Sequence, residues 1–333
     1  MPSKQQGDLQ DKQESKMRDL IDPSLLPGLD FMPPLDLAPE SLPVIREGME
    51  QMSAAVPEPE DSGVEWREER ITAPDGHELL IRIYRPLDGD GLLPAVLHVH
   101  GGGYVMGSVS TNHLSNIGLA ASTAALILSV DYRLAPETVA PGAVEDCYAA
   151  LEWLHGNAAA LGVDPAKIAV RGESAGGGLA AALALLARDR GGPTIAHQNL
   201  IYPMLDDRTC ITRLPAHLGA FVWTPQANAF GWRSLLGQEP GSADVSPYAA
   251  PARAEELAGL PPAFIAVGAL DLFLVEDMDY ARRLIEAGVS VELHVYPGAY
   301  HGFDVLPDAA PVRQMKRDAV AALRKVLHPG ETG

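Results

Sequence analysis

The chain has 333 residues, 47% of them apolar, enough to bury a large core in one or two domains. It carries 25 basic against 44 acidic residues, a formal net charge of −19. That balance argues against nucleic acid or an anionic membrane surface as partner, because phosphate binding needs clustered Lys and Arg. Two cysteines, Cys147 and Cys210, cannot build a disulfide framework or a four-thiolate zinc site, and the longest uncharged apolar runs fall well short of the roughly 20 residues of a membrane span.

The N-terminal run MPSKQQGDLQDKQESKMRDL has no apolar stretch of the secretory kind, so a cytoplasmic location with reduced thiols is expected. These first 20 residues read as frayed or weakly helical. From Ile21 to Pro59 prolines repeatedly interrupt the pattern, leaving short helical pieces such as Leu42–Met52. Residues 1–60 are therefore expected to wrap the molecule as an N-terminal cap segment without a core of their own. Two strands, Trp66–Ala73 and Glu78–Tyr84, flank the turn signal Pro74-Asp75-Gly76 and predict a hairpin.

Beyond the hairpin, apolar strands alternate with helices. The strands are expected at Ala95–Val99, Ala125–Tyr132, Ile168–Gly172, Ala196–Tyr202, Ala263–Gly268 and Val291–Tyr296. The helices are expected at Asn112–Ala121, Val144–Leu161, Gly177–Arg188, Val275–Ala287 and Val312–Leu327, and in the fourth of these Leu274, Met278, Ala281 and Ile285 recur at helical spacing. The alternation predicts an α/β fold whose central sheet, of about eight strands, is mostly parallel and flanked by helices. Residues 205–245 break the rhythm: they offer no strand and one helical candidate, Trp223–Gly237, and are expected to insert over the mouth of the site as a helical cap. The core then falls into two parts, 61–204 and 246–333. The Val291–Tyr296 strand should close the sheet, and its apolar alternation suggests pairing with its copy in a homodimer.

Two glycine-rich runs carry the chemistry. VRGESAGGGLA (170–180) places Gly-x-Ser-x-Gly between a strand and a helix, the nucleophile elbow that exposes a serine at the end of a sheet. HVHGGGYVMGS (98–108) puts three bare glycines after another strand. By chance this composition yields about 0.15 Gly-x-Ser-x-Gly and about 0.01 HGGG, so their joint appearance at strand ends is informative. A serine nucleophile creates a tetrahedral oxyanion, which needs preorganised N–H donors, and glycines turn amides toward one point without side chains in the way. Ser174 is thus the expected nucleophile. Gly101, Gly102 and Ala175 are the expected oxyanion donors.

A serine also needs a base and the base an orienting acid, in the chain order Ser, acid, His. Asp271 ends one late strand, and His301 lies in the glycine-flanked loop after the next. Three rival acids are weaker: Asp277 and Asp279 fall inside a helix, where a solvated face is the usual reading, and Asp304 is too near His301 in sequence to approach it from behind. His98 and His100 share a strand face and read as structural, His100 bracing the glycine loop.

HGGGY (100–104), DYRLAPE (131–137), GESAGGG (172–178), SPYAAP (246–251), the Asp271 region and YHGF (300–303) together resemble the hormone-sensitive-lipase-like family of α/β-hydrolases, the bacterial family IV esterases. The resemblance runs from about Val64 to the C-terminus. It implies an α/β-hydrolase core under a cap, Ser174, Asp271 and His301 as triad, the same oxyanion glycines, and hydrolysis of short- to medium-chain acyl esters without a cofactor. In the family the residue before the nucleophile is most often Asp; here it is Glu173, which keeps the charge. Tyr104, Phe221, Trp223, Phe230, Leu272 and Phe303 are candidates for the apolar substrate pocket.

Other functions are less well served. A ligand receptor on an inactive hydrolase scaffold conflicts with a complete Ser, Asp and His set. A zinc hydrolase built on His98 and His100 lacks further ligands. Neither glycine run completes a dinucleotide or P-loop pattern. Amide or carbamate cleavage would use the same machinery as ester cleavage.

Overall fold

The computed structural model describes residues 16–32, 35–88 and 91–330. The expectation for the extreme N-terminus therefore lies mostly outside the described residues. The eight strands are β1 (Val64–Thr72), β2 (Glu78–Pro86), β3 (Leu93–Val99), β4 (Leu126–Val130), β5 (Val163–Glu173), β6 (His197–Ile201), β7 (Ala263–Gly268) and β8 (Val291–Tyr296). They form one sheet in the order β1-β2-β4-β3-β5-β6-β7-β8. β1, β2 and β4 pair antiparallel, and every pairing from β4 to β8 is parallel.

The helices are α1 (Leu42–Ala55), α2 (His113–Thr123), α3 (Gly142–Gly156), α4 (Ala158–Leu161), α5 (Ala175–Arg190), α6 (Pro225–Leu236), α7 (Leu274–Glu286) and α8 (Ala310–Leu327). Among the described residues no helix is long and apolar enough to cross a membrane.

Local chemistry accounts for most boundaries. The first hairpin turns at Gly76, whose φ of 86° suits glycine, while Asp75 Oδ1 accepts the His77 amide at 3.0 Å. β3, β4, β6 and β7 are buried along their whole length, as parallel strands covered on both faces must be. α5 buries every residue from Ala175 to Ala187, all of them Gly, Ala or Leu, so it lies close against the sheet.

Three differences from the sequence reading have physical causes. β5 begins five residues early, at Val163, because the turn-like Asp164-Pro165 is absorbed in an irregular stretch where its register with β3 shifts between Leu93 and Ala95. The Val144–Leu161 helix is two helices, broken at Asn157, whose side chain donates back to the Trp153 carbonyl at 2.8 Å. The third concerns α7: Met278 and Ile285 are exposed, whereas Glu276 and Asp277 are buried. Asp279 does sit on a solvated face, ion-paired to Arg282, but Asp277 does not.

The N-terminal segment packs where the functional loops emerge. The Asp22 amide donates to the Gly298 carbonyl at 3.1 Å, and the Tyr300 hydroxyl donates to the Leu25 carbonyl at 2.8 Å. Leu42 of α1 joins the main core, and Arg46 donates through Nε to the Val105 carbonyl (2.7 Å) and through Nη2 to the Ala135 carbonyl (2.9 Å). Between 205 and 245 the chain has no strand; it makes a 3-10 turn at Asp207–Cys210 and the helix α6. Buried carboxylates tether it: Asp207 accepts from Arg253 and from the Gly241 amide (2.6 Å), and Glu276 accepts from the Leu205 (2.7 Å) and Asp206 (3.1 Å) amides and the Thr209 hydroxyl.

Candidate active site

Ser174 sits at the turn between β5 and α5 with φ 57° and ψ −122°, a conformation that costs a non-glycine residue about 1–3 kcal/mol and persists only where its surroundings enforce it. They do so by contact. A Cβ on Gly172 would strike the Gly176 carbonyl, and one on Gly176 would strike the carbonyls of Val99 and His100. The elbow and the start of the HGGG loop are therefore pressed together backbone to backbone.

In that loop Gly102 and Gly103 have φ of 121° and 59°. Gly103 also lies directly beneath the Trp223 indole, and Gly102 against the Met106 carbonyl. His100 braces the turn: its Nδ1 donates to the Gly101 carbonyl at 2.8 Å, its ring stacks on Tyr132 at 4.2 Å, and the Tyr132 hydroxyl donates to the His100 carbonyl at 2.9 Å. Burial lowers the His100 pKa to about 4, so the ring is neutral near pH 7. Among the described residues the amides of Gly101, Gly102 and Ala175 donate to nothing within the protein. Unspent amides beside a serine hydroxyl are the donor set that an oxyanion requires.

His301 Nε2 lies 2.8 Å from Ser174 Oγ, and His301 Nδ1 lies 2.9 Å from Asp271 Oδ2. Asp271 is fully buried just beyond the end of β7, and its Oδ1 accepts the Phe273 amide at 2.9 Å. Tyr202, Phe273 and Trp223 surround the imidazole, with ring centroids at 4.9, 5.1 and 6.1 Å. Ser174 is only 7% exposed and His301 6%.

Behind the elbow Glu173 accepts from His98 Nε2 (2.8 Å) and Arg171 Nε (3.0 Å). Burial raises its pKa, but the charges and hydrogen bonds of His98 and Arg171 outweigh it and bring the carboxyl down to about 2. His98 Nδ1 faces Ser129 and Asn116, so this histidine is spent on the Glu173 network. Neither rival acid bonds His301: Asp304 accepts from the Tyr202 hydroxyl at 2.7 Å, and Asp277 is buried with neither carboxylate oxygen hydrogen-bonded among the described residues. Burial, with Glu276 and Asp271 nearby, pushes the Asp277 carboxyl well above its usual range. The expectation of a solvated Asp277 is thereby corrected.

The six pocket candidates divide. Phe221 and Leu272 line a cavity of about 670 Å³ walled mostly by residues of the 205–245 stretch, such as Cys210 and Leu218, with Met17; neither Ser174 nor His301 lines it. Trp223 lies over Gly103, its Nε1 donating to Asn228 Oδ1 at 3.2 Å. Phe230 is half-buried on α6. Tyr104 and Phe303 are fully buried in packing, Tyr104 donating to the Met204 carbonyl at 2.9 Å and Phe303 lying among Tyr202 and Tyr296. Sequence reasoning missed Tyr202, Arg46 and Glu276. Tyr202 follows a strand end and had a positional signal, whereas Arg46 and Glu276 act across 59 and 71 residues and had none.

The fold and this constellation define an α/β-hydrolase, and residues 96–305 match the family described as the alpha/beta hydrolase fold. The chain belongs to that family and, within it, to the hormone-sensitive-lipase-like carboxylic ester hydrolases, the bacterial family IV. It is similar to the carboxylesterase NlhH of Mycobacterium tuberculosis, 37% identical over 92% of this chain and 97% of that protein. It is also 35% identical to the esterase LipI of the same organism, over 92% of this chain and 96% of the relative. Among solved structures, a bacterial heroin esterase superposes with a TM-score of 0.85 at 38% identity, covering 93% of this chain and 99% of that one. An esterase of Pyrobaculum calidifontis gives 0.79 at 34%, covering 92% and 98%.

Proposed function

We propose that the protein is a serine carboxylesterase that cleaves short- to medium-chain acyl esters through an acyl-enzyme on Ser174. The observation that carries this reading is the unbroken chain Ser174 Oγ, His301, Asp271, at 2.8 and 2.9 Å, beside three unspent amides. An ionised Asp271 only accepts, so His301 Nδ1 donates to it and Nε2 is left to accept the serine proton. Ser174 Oγ attacks the ester carbonyl carbon as its proton passes to Nε2. The oxyanion is held by the amides of Gly101, Gly102 and Ala175. Collapse expels the alcohol, which takes the proton from the imidazolium. Water then attacks the acyl-enzyme, giving its proton to His301, and a second collapse releases the acid and returns that proton to Ser174.

The acyl range draws support from the family resemblance and from a 34% identical relative named ethyl acetate hydrolase in Pseudomonas putida, aligned over 70% of this chain and 74% of that protein. The test is hydrolysis of p-nitrophenyl esters from C2 to C16, with p-nitroanilide counterparts, by wild type and Ser174→Ala. A short-chain ester optimum that falls by at least about 10⁴ in Ser174→Ala is expected. Equal activity in the two proteins would sink the assignment of the nucleophile, and faster anilide cleavage would turn the reading to an amidase.

We also propose a homodimer through β8. That strand lies at the sheet edge with Leu293 and Val295 partly exposed, beside α7, which exposes Met278 and Ile285. Light scattering should give twice the 35.4 kDa chain mass, and a monomer mass ends the idea.

A further inference from the structure

A second cavity, of about 530 Å³, lies between α2 and α8 on the sheet face opposite α5. It falls within the usual size range of small-molecule sites, about 300–1,000 Å³. Its floor is the Arg171–Glu173 pair, one residue from Ser174, and its wall includes Asp304, three residues after His301. Gly118 of α2 lines it and is exposed, and a Cβ there would meet nothing within 4 Å, so a larger side chain has room to enter the hollow.

The charges around this space are unevenly spent. Glu173 is taken up by His98 and Arg171, and Asp304 by the Tyr202 hydroxyl. Arg171 uses Nε on Glu173 and Nη1 on Asn199, and among the described residues its Nη2 has no partner. At the mouth, exposed Lys316 makes no hydrogen bond or ion pair among the described residues, and Arg317 only reaches along its own helix to Gln314. The remaining wall is apolar, with Leu119, Met315 and Val320. In a chain of net charge −19, a hollow with uncommitted cationic donors and an aliphatic wall is unusual.

We propose that this cavity is a binding site, separate from the ester-cleaving centre, for a short-chain aliphatic monocarboxylate, its carboxylate held between Lys316 and Arg171 and its tail on the Leu119–Met315–Val320 wall. The two wall carboxylates disfavour a dianion such as phosphate. The ligand is of the chemical class of an acyl-ester hydrolase's acid product, but the site does not depend on the hydrolytic reading.

The test uses the full chain carrying Ser174→Ala, which separates binding from turnover. It is photolysed with a hexanoic acid bearing an aliphatic diazirine, and labelled peptides are mapped. Label on residues 113–123 or 310–327 is expected, competed by hexanoate and not by hexylamine. Lys316→Ala should cut it about tenfold, the scale of one charge-assisted hydrogen bond, and Gly118→Leu, which fills the hollow, should abolish it. Lys316 is exposed, so its substitution reports even where Gly118→Leu impairs folding. Absence of label on both helices, label that survives Lys316→Ala, or competition by hexylamine overturns the proposal.

Discussion

The two glycine runs do different work. In 100–103 glycine supplies conformation as well as room: Gly102 and Gly103 have positive φ, and a Cβ on them would also strike the Met106 carbonyl and the Trp223 indole. In 172–178 no glycine has positive φ; the residue in the unusual conformation is Ser174, and the glycines supply proximity, each lying where a Cβ would strike neighbouring atoms. A composition of 32 glycines does not distinguish the two uses, but the neighbours do. Strain at a conformational glycine is local, whereas lost contact at a packing glycine moves whole loops apart.

Gly176→Ala should have the largest effect. The atoms it strikes are backbone carbonyls at Val99 and His100, which cannot turn aside, so the HGGG loop must withdraw from the elbow. A fall of about 10²–10³ in kcat is expected, comparable to losing one oxyanion donor, with about 1–3 kcal/mol of stability. Near-wild-type kcat would contradict the packing role.

pH should separate the runs next. Neutral His100, which braces the first, has its pKa lowered by burial to about 4 against about 6.5 unfolded, as does buried His197. The unfolded chain therefore takes up these protons first. The stability is complete above pH 6.5 and is lost as pH falls to about 4, at most about 3 kcal/mol from each residue. Glu173, beside the second run, is held at about 2 against about 4.5 unfolded, and its contribution goes only as pH drops through that lower window. Denaturant melts from pH 7 to 3 should show the earlier loss, and His197→Gln should reduce it.

Gly103→Ala should cost about 1–2 kcal/mol for the left-handed conformation, plus displacement of Trp223. Here the obstacle is a side chain rather than backbone, so Gly103→Ala and Trp223→Leu should cost less together than the sum of the single changes, by about 1 kcal/mol. Paired with Gly176→Ala, which moves the same loop, Trp223→Leu should also depart from additivity, though by less; a double-mutant cycle by chemical denaturation checks both. The smallest effect belongs to Arg46→Ala, which unties α1 from the Val105 and Ala135 carbonyls. About 1 kcal/mol is expected, with a rise in KM larger than the fall in kcat.

The sequence was legible where one physical rule governed a segment. β7 and β8 match their expected limits residue for residue, because β7 is a short apolar run that starts after Pro262 and β8 an apolar alternation that stops before Pro297. The residues around Ser174 were findable for a similar reason, since glycines two residues either side of a serine, directly after a strand, fit little but a tight and exposed turn. Legibility failed where tertiary context reversed a local preference. Asp277 is a carboxylate that burial drives toward its neutral form, and no pattern within α7 announces that. Pocket walls failed similarly: Tyr104 and Phe303 have the right chemistry but are packed into the interior, while Phe221 and Leu272 face a cavity that neither Ser174 nor His301 lines.

The position of the strands has a consequence for durability. Ser174 hangs from β5, which is flanked on both sides, but Asp271 and His301 hang from β7 and β8, the outermost pair. In a monomer, fraying of that edge would part His301 from Ser174 while most of the sheet stays intact. On warming, turnover should fade before helical ellipticity does, and recover on prompt cooling. The working lifetime of such an enzyme would then be set by its outermost seam, and cross-linking β8 to β7 would lengthen it more than any improvement to the centre of the core.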